Sequence, residues 1–533
     1  MVVSKEAHAT RIGVRILREG GNAVDAAVAV AFALSVTSPR SAALGGGGFM
    51  LVYLAARKKV VAIDYRETAP LATTKDIFLG PNGLPDKRKS RDSAFSIGTP
   101  GDVAGLVYAE KRYGSGRFTL AQLVAPAVRL AREGVPVADD LDDSLRKSSK
   151  RLARFASSRK IFFAHGRPLH AGEILRQPAL ARTLEAIGRE GASAFYRGPI
   201  AAKIVAAVEA AGGDLTRRDL ASYHVVERRP LRGRYRGYDI VSMPPPSSGG
   251  IAIIEILNIL EGYKLAGLGV DSAASIHLMA EAMKLAFADR ARYLGDPDFV
   301  SIPVAGLISK AYAARLRKQI WPSRARPALD IRAGVPTPHE SDQTTHFSIV
   351  DAQGNAVANT FTLNLSFGVG LVASGTGVLM NDELDDFAAA PGASNVYGLI
   401  GGAKNTPAPR RRPVSSMSPT MVFKDGRLRL VTGSPGGPRI ISTIVEILSD
   451  IIDHGYNVAE ANDAPRFHDQ WLPDILDVER GVSRDTIALL RAMGYNVRIQ
   501  PGWGAAATIA RRGDGLLTGA ADPRQRGTLA AGY

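Results

Sequence analysis

The pattern of the chain changes at Thr344. Ahead of it, residues 322–343 are rich in Pro, Arg, Ser and Thr and lack apolar periodicity, which predicts an exposed loop or linker. Behind it, TTHFSIV-DAQGN-AVANTFTL alternates apolar and polar residues on both sides of a turn containing Asp351, Gly354 and Asn355, which predicts a β-hairpin. Further strands are expected at 377–380, 420–423 and 428–432, with helices at 440–452 and 484–493. Upstream, residues 101–320 read as mainly helical, with long alanine-rich segments such as 274–293 and a capping signal at Thr216–Asp219. Asn22 is placed to cap an apolar helix that abuts the glycine loop 45–48, and a strand pair is expected around 49–53 and 60–65. A helical first half followed by alternating strands and helices, without an internal repeat, points to one layered α/β fold.

Composition narrows the functional classes. Among 533 residues, 45% are hydrophobic and 22% charged, which excludes a disordered or fibrous chain. There is no cysteine, so disulfides, a thiolate nucleophile and cysteine-ligated metal sites are ruled out. The net charge of +16 is unevenly placed: residues 1–343 hold 50 Lys+Arg against 33 Asp+Glu (+17), and residues 344–533 hold 17 against 18 (−1). The densest basic run, 146–160, carries seven cations without an acid and reads as a solvated helix face, since no nucleic-acid-binding motif accompanies it. The first twenty residues lack an apolar signal-peptide core. The most apolar stretch leaves 14 uncharged residues between Asp25 and Arg40, fewer than the roughly 17 to 25 that span a bilayer, so no transmembrane segment is expected.

Common catalytic motifs fail. Neither 45–48 nor 433–437 matches a phosphate loop or GxGxxG, and no serine lies in a GxSxG elbow. The sequence His339-Glu340-Ser341-Asp342-Gln343 begins like a zinc-binding HExxH, but Gln343 stands where the second histidine belongs, so no metal is expected. A hydrolase without these devices needs another nucleophile, and a threonine whose own freed amine is the base is one. Thr344 opens a strand directly after a polar loop, where a backbone break would release an amine of pKa about 7.7 to 8.0, near the optimum for a general base. By residue type alone, a Thr-Thr pair at a strand start usually reflects β-propensity.

The surrounding motifs decide the matter. The sequence resembles the gamma-glutamyltranspeptidase (glutathione hydrolase) family through EGGNAVDAAVAV (19–30), LGGGGFM (44–50), DYRETAP (64–70), GTPG (98–101), YRGYDIVSMPPPSSGGI (235–251), ADRARYLGDPDFV (288–300), QTTHFSIVDAQGNAVANTFTLN (343–364), DDFA (385–388), RPVSSMSPT (412–420) and TGSPGGPRI (432–440). The resemblance implies an N-terminal-nucleophile hydrolase with an αββα sandwich. It implies self-cleavage between Gln343 and Thr344 into a large chain, 1–343, and a small chain, 344–533, that stay associated as one composite domain and heterodimer.

By the same resemblance Thr344 is the nucleophile, Thr362 its hydrogen-bonding partner, and the N–H groups of Gly436 and Gly437 the oxyanion donors. Arg66, Ser415 and Ser416 match the residues for the donor's α-carboxylate. Asn364, Glu383 and Asp386 match those for its ammonium group, and Tyr397 lies in a segment similar to the family's lid. Two positions depart from the family pattern: Leu365, placed to alter acceptor choice, and Pro438, which removes an N–H near the oxyanion site.

The implied partners are glutathione and other γ-glutamyl compounds, with water, an amino acid or a dipeptide as acceptor, and neither cofactor nor nucleic acid. The resemblance implies a periplasmic or secreted location, while the lack of a signal-peptide core in the first twenty residues leaves a cytoplasmic one open. Two alternatives stand beside this reading: an acylase of the same fold acting on glutaryl-linked β-lactams, and an unprocessed polyanion-binding relative.

Overall fold

The computed structural model describes residues 1–331, 344–396 and 398–533. Two antiparallel sheets lie face to face between helical layers, the expected αββα sandwich. The first sheet runs in the order Leu529–Ala531, Val2–Ser4, Thr345–Val350, Ala356–Thr362, Gly47–Leu54, Lys59–Tyr65 and Val226–Arg228. The second runs Leu517–Ala521, Ala507–Arg511, Arg427–Thr432, Thr420–Lys424, Tyr238–Ser242 and Leu231–Tyr235. Both sheets contain strands from either side of residue 343: in the first, Val2–Ser4 lies between two later strands, and in the second the four later strands stand together beside Tyr238–Ser242 and Leu231–Tyr235.

Period-2 alternation explains the layering. On strand Gly47–Leu54, Phe49, Leu51 and Tyr53 join the core between the sheets and beneath the second helical layer, while Met50 and Val52 join the core under the first. Tyr53 meets Phe423 of the opposite sheet edge-on at 4.9 Å. Helices Ala7–Arg18 and Ala23–Thr37 cover the first sheet; Gly249–Leu260, Ala273–Tyr293 and Arg439–Ile452 cover the second. Asn22 caps Ala23–Thr37 in a full capping box with Asp25, and Thr216 with Asp219 does the same for Arg217–Ser222.

Two regions differ from the sequence reading. The segment 101–320 is not helical throughout: it supplies Val226–Arg228 and the hairpin Leu231–Tyr235/Tyr238–Ser242, closed by Arg236 and Gly237, both at positive φ. The strand Leu231–Tyr235 does alternate, with Leu231 and Tyr235 buried and Arg232 and Arg234 exposed, but over only five residues. Residues 322–331 are also more anchored than an exposed linker. Ala328 and Ile331 are buried, Trp471 Nε1 donates to the Ala328 carbonyl at 2.8 Å, and the Ala325 N–H donates to Met493 O at 2.7 Å. The remainder of that linker, 332–343, lies outside the described residues, as does the HExxH-like stretch. No helix among the described residues is long and apolar enough to cross a membrane.

Candidate active site

The hairpin places the two threonines. Thr345 pairs with Phe361, so Thr344, just ahead of one strand, stands opposite Thr362 at the end of the next. Both line one small cavity of about 20 Å³, with Glu383, Asp386, Ser415, Ser416 and Gly437 also in its wall. Thr344 is only 5% exposed. The Thr362 hydroxyl accepts the Asn364 N–H at 2.9 Å, which ties the strand end to the loop that follows.

Gly436 and Gly437 form the turn between strand Arg427–Thr432 and helix Arg439–Ile452, with φ of 134° and 52°. A residue with a Cβ would be strained in both conformations. The turn leaves backbone N–H groups at the head of a fourteen-residue helix, where unsatisfied donors and the helix dipole favour negative charge. Pro438 caps this helix, so its missing N–H removes no intrahelical bond.

Arg66 follows strand Lys59–Tyr65 and is fully buried. Its guanidinium binds Glu383, reaches Asp386 Oδ2 at 2.6 Å, and donates through Nε to the Pro413 carbonyl at 3.3 Å. The arginine and the two acids are therefore paired directly with one another. Burial pulls the Arg66 pKa down, but Glu383, Asp386 and Glu67 outweigh it and hold the group charged. Burial pushes the Glu383 carboxyl up to about 7 despite Arg66, and raises Asp386 as well. Glu67 and Asp102 lie behind them, both raised well above the carboxylate range by burial and then by the Glu383 charge.

Asn364 has a left-handed backbone, φ 74°, and its side-chain amide donates to Asp382 O at 3.0 Å. The serines sit where the PPPSSGG segment meets 412–420: Ser248 N–H and Oγ both donate to the Ser415 carbonyl, at 2.6 and 2.7 Å. A Cβ at Gly249 would lie 1.5 Å from Ser418 Oγ, so this close approach requires glycine.

Thr344, Thr362, Gly437, Arg66, Glu383, Asp386, Ser415 and Ser416 thus converge, with Gly436 and Asn364 adjoining. Gln343 and Tyr397 lie outside the described residues. Beside Tyr397, the Asn395 amide donates to Asp386 Oδ1 at 2.7 Å and Val396 N–H to Asp385 Oδ2 at 2.6 Å.

Sequence reasoning missed three supporting residues. Asn381 Nδ2 donates to Gly45 O at 2.7 Å and Gly98 O at 2.9 Å, while its Oδ1 accepts the Glu383 N–H at 3.0 Å, knotting three glycine-rich and acidic motifs together. Asn395 orients Asp386. Arg290, buried and lowered to about 10 by that burial, donates to Ser248 Oγ at 2.8 Å and Ser416 Oγ at 3.5 Å, adding a second cation behind the serine pair. Its place inside the motif ADRARYLGDPDFV was the available signal. Among the described residues no group of three or more His, Cys, Asp or Glu could hold a metal ion.

Comparison with known proteins bears on the family and the fold. The gamma-glutamyltranspeptidase family model matches residues 9–532. The glutathione hydrolase proenzyme of Escherichia coli K12 is 51% identical over 534 residues, covering 100% of this chain and 92% of that protein. The crystal structure of cephalosporin acylase from Bacillus halodurans superposes with a TM-score of 0.88 at 28% identity, covering 100% of this chain and 95% of the other. That of Helicobacter pylori gamma-glutamyltranspeptidase gives 0.60 at 44% identity, covering 61% of this chain and 93% of the other. The fold is that of the N-terminal-nucleophile hydrolases.

Proposed function

Because the chain belongs to the gamma-glutamyltranspeptidase family, we propose that it is a self-processing gamma-glutamyltransferase and glutathione hydrolase with Thr344 as its nucleophile. One observation carries the residue assignment: a strand-leading threonine, the glycine turn at a helix head and two acids line one cavity, and a buried arginine pairs with both acids. In processing, the Thr344 hydroxyl attacks the Gln343 carbonyl, the amide becomes an ester, and water hydrolyses the ester to leave a Gln343 carboxylate and a free Thr344 amine. The large and small chains, 1–343 and 344–533, then stay associated, since each contributes strands to both sheets.

In turnover, the amine takes the proton of the Thr344 hydroxyl as the oxygen adds to the donor's γ-carbonyl. The N–H groups of Gly436 and Gly437 receive the developing oxyanion, an effect worth roughly 3 to 4 kcal/mol where one such donor has been removed elsewhere. The proton passes to the departing amine, and water or an amino acid or dipeptide then takes the glutamyl group. The donor's own charges replace the internal ion pairs: its α-carboxylate takes the Arg66 face with Ser415 and Ser416, and its ammonium takes Glu383, Asp386 and Asn364. Holding the glutamyl unit at its α-carbon points the side-chain carbonyl at the nucleophile. A glutaryl group has no ammonium to satisfy two buried acids, which favours the glutamyl reading over the acylase one. A periplasmic or secreted site of action belongs to the same reading and is tested by cell fractionation.

Intact mass under denaturing conditions tests the proposal. Two chains, ending at Gln343 and beginning at Thr344, are expected, and Thr344→Ala should remain single. An uncleaved wild-type chain under processing conditions would refute it.

A further inference from the structure

The basic run 146–160 has no part in the reaction above, yet part of it walls a cavity of about 880 Å³. Leu365 and Ser366, directly after Asn364, line this cavity, and so does Val396, next to the Asn395 that holds Asp386. The cavity therefore adjoins the glutamyl pocket across the 364–366 segment. Leu365 follows Thr362 by three residues, so their Cα atoms lie within about 11 Å, a span that about three residues of extended peptide cover.

The charge of this cavity is unbalanced. Three carboxylates face it, and each is engaged: Asp140 with Arg40 at 2.9 Å, Asp92 with Arg151 at 3.2 Å, and Asp143 with Arg146. Lys147, Lys150 and Arg154 also face it and, among the described residues, make no salt bridge; Arg154 donates only to the Val369 carbonyl, at 2.9 Å. The shielded Ser366 hydroxyl has no hydrogen-bond partner among the described residues. Three uncompensated cations and a spare hydroxyl around a polar chamber suit an anion with several oxygens.

We propose that this cavity is an anion subsite for carboxylates borne by the part of the donor beyond the scissile amide, or by the acceptor. Lys147, Lys150 and Arg154 make the enzyme favour groups with an added carboxylate there. The inference rests on the γ-glutamyl-transfer reading and assigns its leaving-group and acceptor preference. A solvated basic face with no ligand would give no such preference.

The test compares γ-glutamyl-p-nitroanilide with γ-glutamyl-3-carboxy-4-nitroanilide, which differ by one carboxylate on the leaving group. A second arm compares glycylglycine with glycylaspartate as acceptors. Each ratio of kcat/KM is measured in the wild type and in Lys147→Glu/Lys150→Glu, whose substituted side chains are exposed. The carboxylated-to-neutral ratio should fall about five- to tenfold at low salt in the double variant, the loss shrinking as salt screens the charges. A fall in the donor ratio alone assigns the subsite to the leaving group, and in the acceptor ratio alone to the acceptor. Ratios equal in both proteins overturn the subsite. If the wild type releases chromophore from neither donor, the transfer reading itself fails and the subsite falls with it.

Discussion

Asp386→Ala separates a glutamyl site from a glutaryl site, and the structure sets the size of the effect. In the resting site Asp386 binds Arg66 at 2.6 Å and accepts from Asn395 at 2.7 Å. With donor bound, its assigned partner is the ammonium group. A hydrogen bond to a charged group contributes about 1.5 to 3 kcal/mol, and 1.36 kcal/mol is tenfold, so kcat/KM for a γ-glutamyl donor should fall about 10- to 150-fold. Glu383 remains, which keeps the loss below that of an emptied site. A glutaryl donor has no ammonium and loses nothing there. Relieving Arg66 of one competing carboxylate even favours its α-position-free chain end, so its kcat/KM should change by less than about threefold. The assay is chromophore release from γ-glutamyl- and glutaryl-p-nitroanilide by the same enzyme preparation. Any loss of folded protein cancels in their ratio, which should fall at least about threefold. An equal fall for both donors would refute the assignment of Asp386 to the ammonium.

Two pH dependences follow from buried groups. Glu383, raised to about 7 by burial against Arg66, must be ionised to face an ammonium, so KM for γ-glutamyl donors should rise as pH drops through about 7. Steady-state kinetics on both sides of that pH check it, and Glu383→Gln should remove the dependence; a KM that stays flat in the wild type would refute it. His346 lies on the inner face of the hairpin, hydrogen-bonded to Thr360 Oγ1 at 2.8 Å and Ser348 Oγ at 3.1 Å, and burial lowers its pKa to about 3. The unfolded chain binds this proton from about pH 6.5 downwards and the native one does not, so stability falls with acidification by at most about 1.4 kcal/mol per pH unit. Thermal unfolding of His346→Gln should show a shallower acid limb than the wild type; parallel limbs would refute the contribution.

How far the sequence carried depended on the range of the forces involved. The hairpin around 351–355, the helix capped by Asn22 and the strand pair at 47–65 were legible because alternation and capping are written within a dozen residues. The hairpin 231–242 was not, since each of its strands is only five residues long and the alternation of Leu231, Arg232, Arg234 and Tyr235 is too short to stand out in a largely helical stretch. Anchoring of 322–331 escaped for a different reason: its partners, Trp471, Asp474 and Met493, arrive from about 150 residues away, and a lone Ala328 or Ile331 carries no local sign of burial. Within the site, the charged members were reachable through motifs, whereas Asn381 and Asn395 act by joining loops and have no signature of their own. The direct pairing of Arg66 with both acids is likewise a property of the folded site.

That pairing explains why so many ionisable groups tolerate one another in the interior. Arg66, Glu67, Asp102, Glu383 and Asp386 are all buried. Apolar residues of similar volume would often be neutral or stabilising in place of a buried ion pair, by roughly 1 to 4 kcal/mol, so stability alone does not account for the cluster. Glu67 and Asp102 are held toward their neutral forms, and neither Asp102 oxygen has a hydrogen-bond partner among the described residues. The ionised remainder is one cation facing two anions. A zwitterion presenting its carboxylate to the cation and its ammonium to the anions can displace these internal bonds without leaving any of the three uncompensated. An anion alone would free the arginine from its acids and strand both of them. On the proposed reading the site is preorganised for two charges on one carbon, and selectivity for an α-amino acid end follows from the cost of leaving a buried carboxylate unpaired.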